Sequence, residues 1–204
     1  GRASLRATLR SVADQVTESE HVIVVLDGEA DNGVAAMVAE FYCATSAQWT
    51  YFATGRTLGS WGHAARNVAL DHLIGDAEWV CSIDDDDVYL PGAFDAIRET
   101  ACARPVIFRM RMGRDHPARG VVVWHDPRVA YGNIGTPMIV APACGARFGL
   151  TYDGDEPWAQ QLERDLGAGY GGDVVYARQL EAELGPAIFD ERVIALIRPG
   201  ETEL

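Results

Sequence analysis

The stretch SWGHAARNVALDHLIGDAEWVCSIDDDD, residues 60–87, joins a helical pattern, a strand pattern and a run of four aspartates. Apolar residues recur at helical spacing from Ser60 to Ile74, and Gly75 marks the end of that pattern. The apolar run EWVCSI, residues 78–83, then predicts a short strand that leads directly into the aspartates. A strand that ends in polar residues after a helix is typical of α/β sheets, which bind ligands at the carboxyl ends of their strands.

The same alternation of helix and strand extends towards the N-terminus. Apolar residues from Leu5 to Val16 predict a first helix, and residues 33–42 predict a second. HVIVVLDG, residues 21–28, predicts a strand covered on both faces, and residues 48–55 predict another strand. The first half of the chain therefore predicts an α/β fold with a mixed, mostly parallel sheet flanked by helices.

The second half has a different character, because Pro91 opens a short helix and small strand-like runs follow. Turns rich in glycine and proline separate these runs, which predicts a small antiparallel extension of the sheet. The runs cover residues 106–110, 121–124, 138–141 and 174–176. Since no linker composition divides the chain, we expect one domain over residues 1–204, with halves at 1–103 and 104–204.

The composition excludes several classes of function. The chain has 204 residues and a formal net charge of −13, so binding to nucleic acid or to an anionic membrane is disfavoured. Every basic side chain apart from histidine is arginine, which excludes chemistry that requires a lysine amine. The longest apolar runs are too short to cross a bilayer, and no signal-peptide core is present.

The cysteines point to a reducing compartment. Cys43, Cys81, Cys102 and Cys144 stand far apart, without a C-x-x-C pair. This spacing indicates free thiols and makes a zinc site improbable. We therefore expect a cytoplasmic protein.

The four adjacent aspartates, Asp84 to Asp87, repel one another unless a positive charge lies beside them. Mg²⁺ and Mn²⁺ prefer carboxylate oxygens, and Mg²⁺ takes only one or two from the protein when a substrate phosphate supplies others. Asp84 and Asp86 could therefore share such a cation with a nucleotide diphosphate. The alternative is a solvated acidic turn at the surface.

Several segments together resemble the family 2 glycosyltransferases of the GT-A fold. They are GSWGHAARNVALDHLIGDAEWVCSIDDDDVYLPGAF (residues 59–94), HVIVVLDGEADN (21–32), the opening G-R-x-S-L and the later YDGD. The resemblance implies a GT-A-like domain whose first half binds a nucleotide sugar and whose second half binds an acceptor. It further implies a hexosyltransferase-type enzyme dependent on Mn²⁺ or Mg²⁺. Such an enzyme moves a sugar, with inversion, from a nucleotide-diphosphate sugar, a UDP-sugar being the first expectation, to an acceptor hydroxyl.

The resemblance also assigns residues on the donor side. Asp27 is expected to read the nucleotide base, and Asp84 and Asp86 form the D-x-D motif. Asp86 is the expected direct ligand of the cation. Asp84 is expected to bind the cation as well and to lie nearer the ribose or sugar of the donor. Asp85 is also expected to contact the donor.

Arg66 and His63 precede the aspartates in the A-A-R-N helix. By the resemblance, Arg66 lies near the donor, where a guanidinium suits phosphate or sugar oxygens, and His63 helps to position the donor. The alternative for Arg66 is an ion pair on the helix surface with Asp71 or a neighbour. For His63 it is a helix cap or a partly buried histidine.

On the acceptor side, the resemblance places the general base in LTYDGDEPWAQQLERDL, residues 150–166, at Asp155, with Glu156 as the neighbouring candidate. A purely structural N-cap is the alternative for Asp155. Acceptor contacts are expected from Gly135 and Thr136 of YGNIGTPMIVAP, residues 131–142, and from Trp158.

Tryptophans offer further candidates for binding a sugar. Trp61, Trp124 and Trp158 could each stack on a sugar ring, although a tryptophan in a chain of this size is more often buried in the core.

Family chains carry an apolar strand before the G-R-x-S-L stretch, whereas this sequence starts at that stretch. We expect ERVIALIRP, residues 191–199, or a second subunit of a homodimer to cover the corresponding edge of the sheet.

Two other functions stay open from the sequence. A nucleotidyltransferase also combines an α/β fold with acidic metal ligands, although its usual lysine-containing phosphate loop is missing. A non-catalytic module that binds nucleotide sugars is the other alternative.

Overall fold

The computed structural model describes residues 2–73, 77–100, 102–150, 171–200 and 203. In chain order the elements are α1 (Arg2–Ala13), β1 (His21–Leu26), α2 (Asn32–Ala44), β2 (Gln48–Ala53), α3 (His63–Leu73), β3 (Trp79–Cys81), β4 (Asp87–Tyr89), α4 (Ala93–Thr100), β5 (Val106–Met112), β6 (Val122–Val123), β7 (Ile139–Pro142), α5 (Gly172–Leu184) and β8 (Ile188–Ile197). Short 3₁₀ turns, Ser60–Gly62 and Thr136–Met138, precede α3 and β7.

The strands form two sheets flanked by helices. β1 and β2 pair in parallel. The other strands form a six-stranded sheet in the order β3-β7-β5-β8-β4, with β6 paired to β5. β5 and β8 are parallel, whereas the remaining pairs of this sheet are antiparallel. The predicted α/β class, with a mixed GT-A-like sheet flanked by helices, is confirmed, although β1–β2 and β5–β8 are the only parallel pairs among the described strands.

The hydrophobic core is centred on β5 and β8. Ile107 and Phe108 are completely buried, and Leu196 on the neighbouring strand is nearly so. These continuous apolar runs are typical of central strands, which are covered on both faces. Burial of each large aliphatic or aromatic side chain contributes about 1.5–3 kcal/mol.

The prediction of a strand at residues 174–176 is wrong, because these residues lie in α5. The helix buries Val174, Ala177 and Leu180 against the core. Their spacing of three residues follows the helical period, and a run of only three apolar residues cannot distinguish a strand from a buried helix.

Helices and side chains connect the β1–β2 sheet to the rest of the molecule. Asp31 caps α2 by accepting hydrogen bonds from the backbone N–H groups of Gly33 (2.7 Å) and Val34 (3.1 Å). The Thr8 hydroxyl of α1 donates to the Asp87 carbonyl at 2.6 Å. Helix α1 thus contacts both α2 and β4.

β8 does not cover the edge of β1, so that expectation for residues 191–199 is wrong. β8 pairs with β4 on one side and with β5 on the other. Ile194, Ala195 and Leu196 are each at most 1% exposed, which suits a central strand of the six-stranded sheet. Within the described ranges, β1 pairs only with β2 and β3 pairs only with β7.

The four cysteines are free, as their spacing predicts. None of the helices in the described part of the chain is long and apolar enough to span a membrane.

Candidate active site

The acidic run forms a tight turn between two strands of the six-stranded sheet. β3 ends at Cys81 and β4 begins at Asp87, whose backbone N–H donates to the Asp84 carbonyl at 3.3 Å. The Asp84 and Asp86 side chains are 42% and 45% exposed. Asp85 is exposed and Asp87 is buried. The turn therefore presents three carboxylates at the protein surface, those of Asp84, Asp85 and Asp86.

Two arginines supply the positive charge that the acidic run requires. The Arg66 guanidinium on α3 forms an ion pair with Asp84 through Nη2. Arg198, which follows β8, places its Nε 3.3 Å from Oδ2 of Asp86. Asp84 and Asp86 thus each have an arginine partner, from a different element in each case.

Asp87 supports the turn from inside. It is 3% exposed, and its Oδ1 accepts a hydrogen bond from the backbone N–H of Arg198 at 2.9 Å. Burial raises the pKa of Asp87 to about 7, against the effect of that hydrogen bond, and the nearby Asp86 charge adds to the rise. Asp87 therefore anchors the turn to the end of β8.

Arg66 lies at the centre of a polar cluster. Its Nη1 donates to the Trp61 carbonyl at 3.0 Å and lies 3.1 Å from Nδ1 of His63. Burial lowers the pKa of Arg66 to about 10, while the negative charges of Asp173 and Asp87 oppose this change, so the guanidinium stays protonated at neutral pH.

The alternative of a surface pair between Arg66 and Asp71 is wrong. Asp71 instead accepts a hydrogen bond from Arg147 at 2.8 Å. Arg66 therefore points towards the acidic turn and away from Asp71.

His63 is a buried support for Arg66. It is 5% exposed, and its ring stacks on Phe148 with a centroid distance of 5.2 Å. Burial, with a smaller effect of the Arg66 charge, lowers the pKa of His63 to about 4, so the ring is neutral. Since a guanidinium can only donate, Nδ1 of His63 is the acceptor and Nε2 carries the proton. The described contacts make His63 a positioning residue for Arg66.

Asp27 holds the loop that leads into this cluster. Its Oδ1 accepts from the Leu58 N–H at 2.6 Å and its Oδ2 from the Gly59 N–H at 2.9 Å. Gly59, Ser60 and Trp61 then have φ values of 75°, 57° and 56°, an unusual left-handed run that presents the Trp61 side chain 51% exposed. Residues 58–61 thus connect the two side chains, because Asp27 binds the start of this segment and Arg66 donates to the Trp61 carbonyl at its end.

Asp173, in the first turn of α5, is a member of the cluster that the sequence patterns do not indicate. Its Oδ1 accepts from the Val174 N–H at 2.8 Å. Burial raises the pKa of Asp173 to about 6, although this hydrogen bond and the Arg66 charge oppose the rise. The G-G-D sequence before an apolar run could have indicated a helix start, but the strand interpretation of residues 174–176 concealed it.

Asp173 also adjoins the loop expected to bind the acceptor. A Cβ built at Gly135 would lie 4.0 Å from Oδ2 of Asp173 and 2.7 Å from Cε of Met110. Thr136 is buried, so its side chain is not presented at the surface. The approach of Gly135, rather than the Thr136 hydroxyl, connects this loop with the cluster.

The start of α5 fits closely against the elements around Arg66. A Cβ at Gly172 would overlap the Gly149 carbonyl and the His63 ring, so this position requires glycine. Asn67 on α3 exchanges two hydrogen bonds, each 2.9 Å, with the backbone of Phe148. These contacts fix α5 and residues 148–149 beside α3.

Sequence comparison shows the family. The sequence model described as glycosyl transferase family 2 matches residues 2–149, about three quarters of the chain. The chain belongs to glycosyltransferase family 2. No curated protein matches it. Membership indicates that the chain is a glycosyltransferase, and the match includes Asp27, Arg66 and the acidic turn.

Four other predicted residues of this glycosyltransferase are not seen in the cluster around Arg66. Trp124 is buried, with its indole N–H donating to the Ile107 carbonyl at 3.2 Å, so it is not open to a sugar ring. Asp155, Glu156 and Trp158 lie outside the described residues.

The acidic turn of the glycosyltransferase offers few protein ligands for a metal. Among the residues that the structure describes, no group of three or more histidine, cysteine or acidic side chains could hold a metal ion. The Asp84 and Asp86 pair fits a hard cation that takes one or two carboxylates from the protein and its other oxygens from a diphosphate and water. Such a cation would compete with Arg66 and Arg198 for these oxygens.

Proposed function

We propose that this glycosyltransferase moves a sugar from a nucleotide-diphosphate sugar to an acceptor hydroxyl, with inversion and with Mn²⁺ or Mg²⁺ as cofactor. The proposed donor is a UDP-sugar, and the proposed transferred sugar is a hexose. One observation carries the proposal: Asp84 and Asp86 stand partly exposed on the turn after β3, and Asp27 is joined to the same cluster through residues 58–61 and Arg66.

Donor binding is proposed for the first half of the domain, residues 1–103. Asp27 reads the base, for which its Oδ2 keeps a second lone pair beyond the hydrogen bond from the Gly59 N–H. Asp84 and Asp85 lie towards the ribose or the sugar. Arg66, positioned by His63, provides a cation for oxygens of the donor. The exposed Trp61 offers an aromatic face beside them.

The metal would be held by Asp86 and Asp84. A divalent cation, when bound, stabilises the negative charge that develops on the departing diphosphate. The protein holds the turn in place through the hydrogen bond between Asp87 and the Arg198 backbone. Arg66 and Arg198 balance the negative charge of the two carboxylates.

Acceptor binding is proposed for the second half, residues 104–204, with contacts from Gly135 and Trp158, whereas the Thr136 side chain is buried. Inversion needs a carboxylate that takes the proton of the attacking hydroxyl. Asp155 and Glu156 remain predictions for this role. We add Asp173 as a third candidate, since its partly buried carboxylate lies near both Arg66 and Gly135 and its raised pKa makes it a stronger base than an ordinary aspartate.

Two further features of the described residues, the cysteines and the edge of β1, bear on location and assembly. The four free cysteines support a cytoplasmic protein. A homodimer is proposed because β1 pairs with only one described strand, which leaves an edge that a second copy could cover.

Titration calorimetry with a panel of nucleotide-diphosphate sugars, with and without Mn²⁺, tests the proposal. We expect metal-dependent binding of at least one donor and its loss in Asp86→Ala. Asp95→Asn, at an exposed carboxylate on α4, is the matched control. Equal donor binding by Asp86→Ala and the parent would contradict the metal role. Binding without transfer or donor hydrolysis would instead favour a non-catalytic module. Release of pyrophosphate from a nucleoside triphosphate and a sugar phosphate, supplied in a separate assay, would favour nucleotidyl transfer.

A further inference from the structure

A pocket lies at the end of β5, outside the cluster described above. It is open, has a volume of ≈ 500 Å³, and is lined by Arg111, Arg114, Arg119 and Glu203 together with residues 112, 113 and 120. Among the described lining residues, three guanidinium groups stand against one carboxylate, which is an excess of positive charge. This excess stands out because the whole chain has a net charge of −13.

The connection between β5 and β6 builds the pocket. The Met112 N–H donates to the Val121 carbonyl, and the Gly120 N–H donates to the Met112 carbonyl, both at 2.8 Å. Gly120 has a φ of 79°, which allows this tight return. Arg114 and Arg119 lie on the loop that these bonds close, and Arg111 is exposed on the preceding strand.

The Glu203 carboxylate, the one acidic group in the described lining, accepts hydrogen bonds from backbone groups. Oε2 of Glu203 accepts from the Arg114 N–H at 2.7 Å and from the Gly200 N–H at 3.0 Å. Neither Arg111 nor Arg119 forms a side-chain hydrogen bond or salt bridge with another described residue. Their forked N–H groups are therefore available for the paired oxygens of a carboxylate or a phosphate.

The pocket adjoins the acidic turn through the sheet. Asp87 and Met112 both pair with Ile197, on either side of β8. Because neighbouring strands lie about 4.8 Å apart, the main chains of Asp87 and Met112 are about 10 Å apart. Arg198 joins the two regions directly, since its N–H donates to the Asp87 side chain and its carbonyl accepts from the Asp115 N–H at 3.2 Å.

We propose that this pocket binds an anionic group, a phosphate or a carboxylate, of the acceptor, so that the acceptor of this enzyme is an acidic molecule. This proposal rests on the proposed function, because the acceptor is the molecule that receives the sugar. A small molecule whose reacting hydroxyl lies at the acidic turn can span the short distance to the arginines. The donor diphosphate is assigned to the turn itself, on the side of Arg66.

Direct binding tests the inference without donor or metal, so its result is independent of the proposed function. The full chain is titrated at low ionic strength with inorganic phosphate, with glucuronate and with glucose. We expect the two anions to bind, glucose not to bind, and added salt to weaken both anions. Tighter binding of phosphate would indicate a phosphorylated acceptor, whereas tighter binding of glucuronate would indicate an acceptor that carries a carboxylate.

The double variant Arg111→Gln/Arg119→Gln should lower the affinity for the anions by about tenfold or more. Both side chains are exposed, so the fold should be unaffected. Arg128→Gln, at an exposed arginine paired with Asp126, is the control and should bind as the parent does. Unchanged affinity in the double variant, or no anion binding by the parent, overturns the proposal. Displacement of the anion by UDP with Mn²⁺ would also overturn it, because the pocket would then belong to the donor.

Discussion

The Arg66 guanidinium of α3 is ion-paired with the Asp84 carboxylate, the first residue of the acidic turn. Arg66 also donates to the Trp61 carbonyl and contacts His63, so its position is fixed on several sides. The pair connects the helix of the A-A-R-N motif with the turn that follows β3.

Replacing Arg66 should weaken binding of the donor. Arg66→Lys keeps a positive charge but loses the planar fork that reaches Asp84 and Trp61 together, so we expect about a tenfold loss in affinity for the nucleotide sugar. Arg147→Lys, which alters the ion pair with Asp71 on the same helix, is the control. Calorimetry with Mn²⁺ measures both variants. Wild-type affinity in Arg66→Lys would show that the fork is not needed.

Asp173→Asn should slow transfer by about 10²–10⁴-fold while the donor dissociation constant stays unchanged, because the variant loses a base but little donor contact. The rate of the parent should rise with pH through about 6, the pKa of Asp173, and this dependence should be absent from the variant. Asp155→Asn and Glu156→Gln are measured in parallel. If one of those two abolishes transfer and Asp173→Asn does not, the base is not Asp173.

His63 should make stability depend on pH. Its pKa is about 4 in the fold and about 6.5 when unfolded, so its contribution is complete above pH 6.5 and declines as the pH falls towards 4. Asp173 acts in the opposite direction, since its raised pKa of about 6 makes folding more favourable as the pH falls from 6 to 4.

The two effects are separated in the background of Asp173→Asn. Urea unfolding of that variant should show a loss on the order of 2 kcal/mol between pH 7 and pH 4.5 relative to His63→Gln/Asp173→Asn. Other titrating groups are common to both proteins and cancel in the difference. Parallel pH profiles for the two proteins would mean that His63 is accessible to protons in the fold.

Asn67→Ala should destabilise the protein by about 1–3 kcal/mol, because two hydrogen bonds to the Phe148 backbone are lost. Asn32→Ala, at an exposed position that begins α2, should change stability by less than about 0.5 kcal/mol. Urea unfolding measures both. Equal stabilities would mean that water replaces the amide of Asn67 at no net loss.

Local patterns predict the first half of the fold well. The runs at β1 and β2 are long enough to identify strands, and the polar residues that follow β1 and β3 indicate Asp27 and Asp84 as candidate site residues. The last third is harder, because three apolar residues at 174–176 carry no period and because the place of β8 depends on pairing with distant strands. Asp173 escapes prediction for the same reason: its position beside Arg66 results from a contact between α5 and α3, more than 100 residues apart in the chain.

No backbone hydrogen bonds join the β1–β2 sheet to the six-stranded sheet across the described ranges. Their attachment consists of packed side chains and isolated polar contacts of α1 and α3, which tolerate small sliding movements better than a continuous β-ladder does. The carboxylate of Asp27 and the turn at Asp84 therefore belong to two separately hydrogen-bonded units. Under the proposed function, a donor that contacts both Asp27 and the turn could be accommodated by a change in this spacing, without the loss of any β-ladder hydrogen bond.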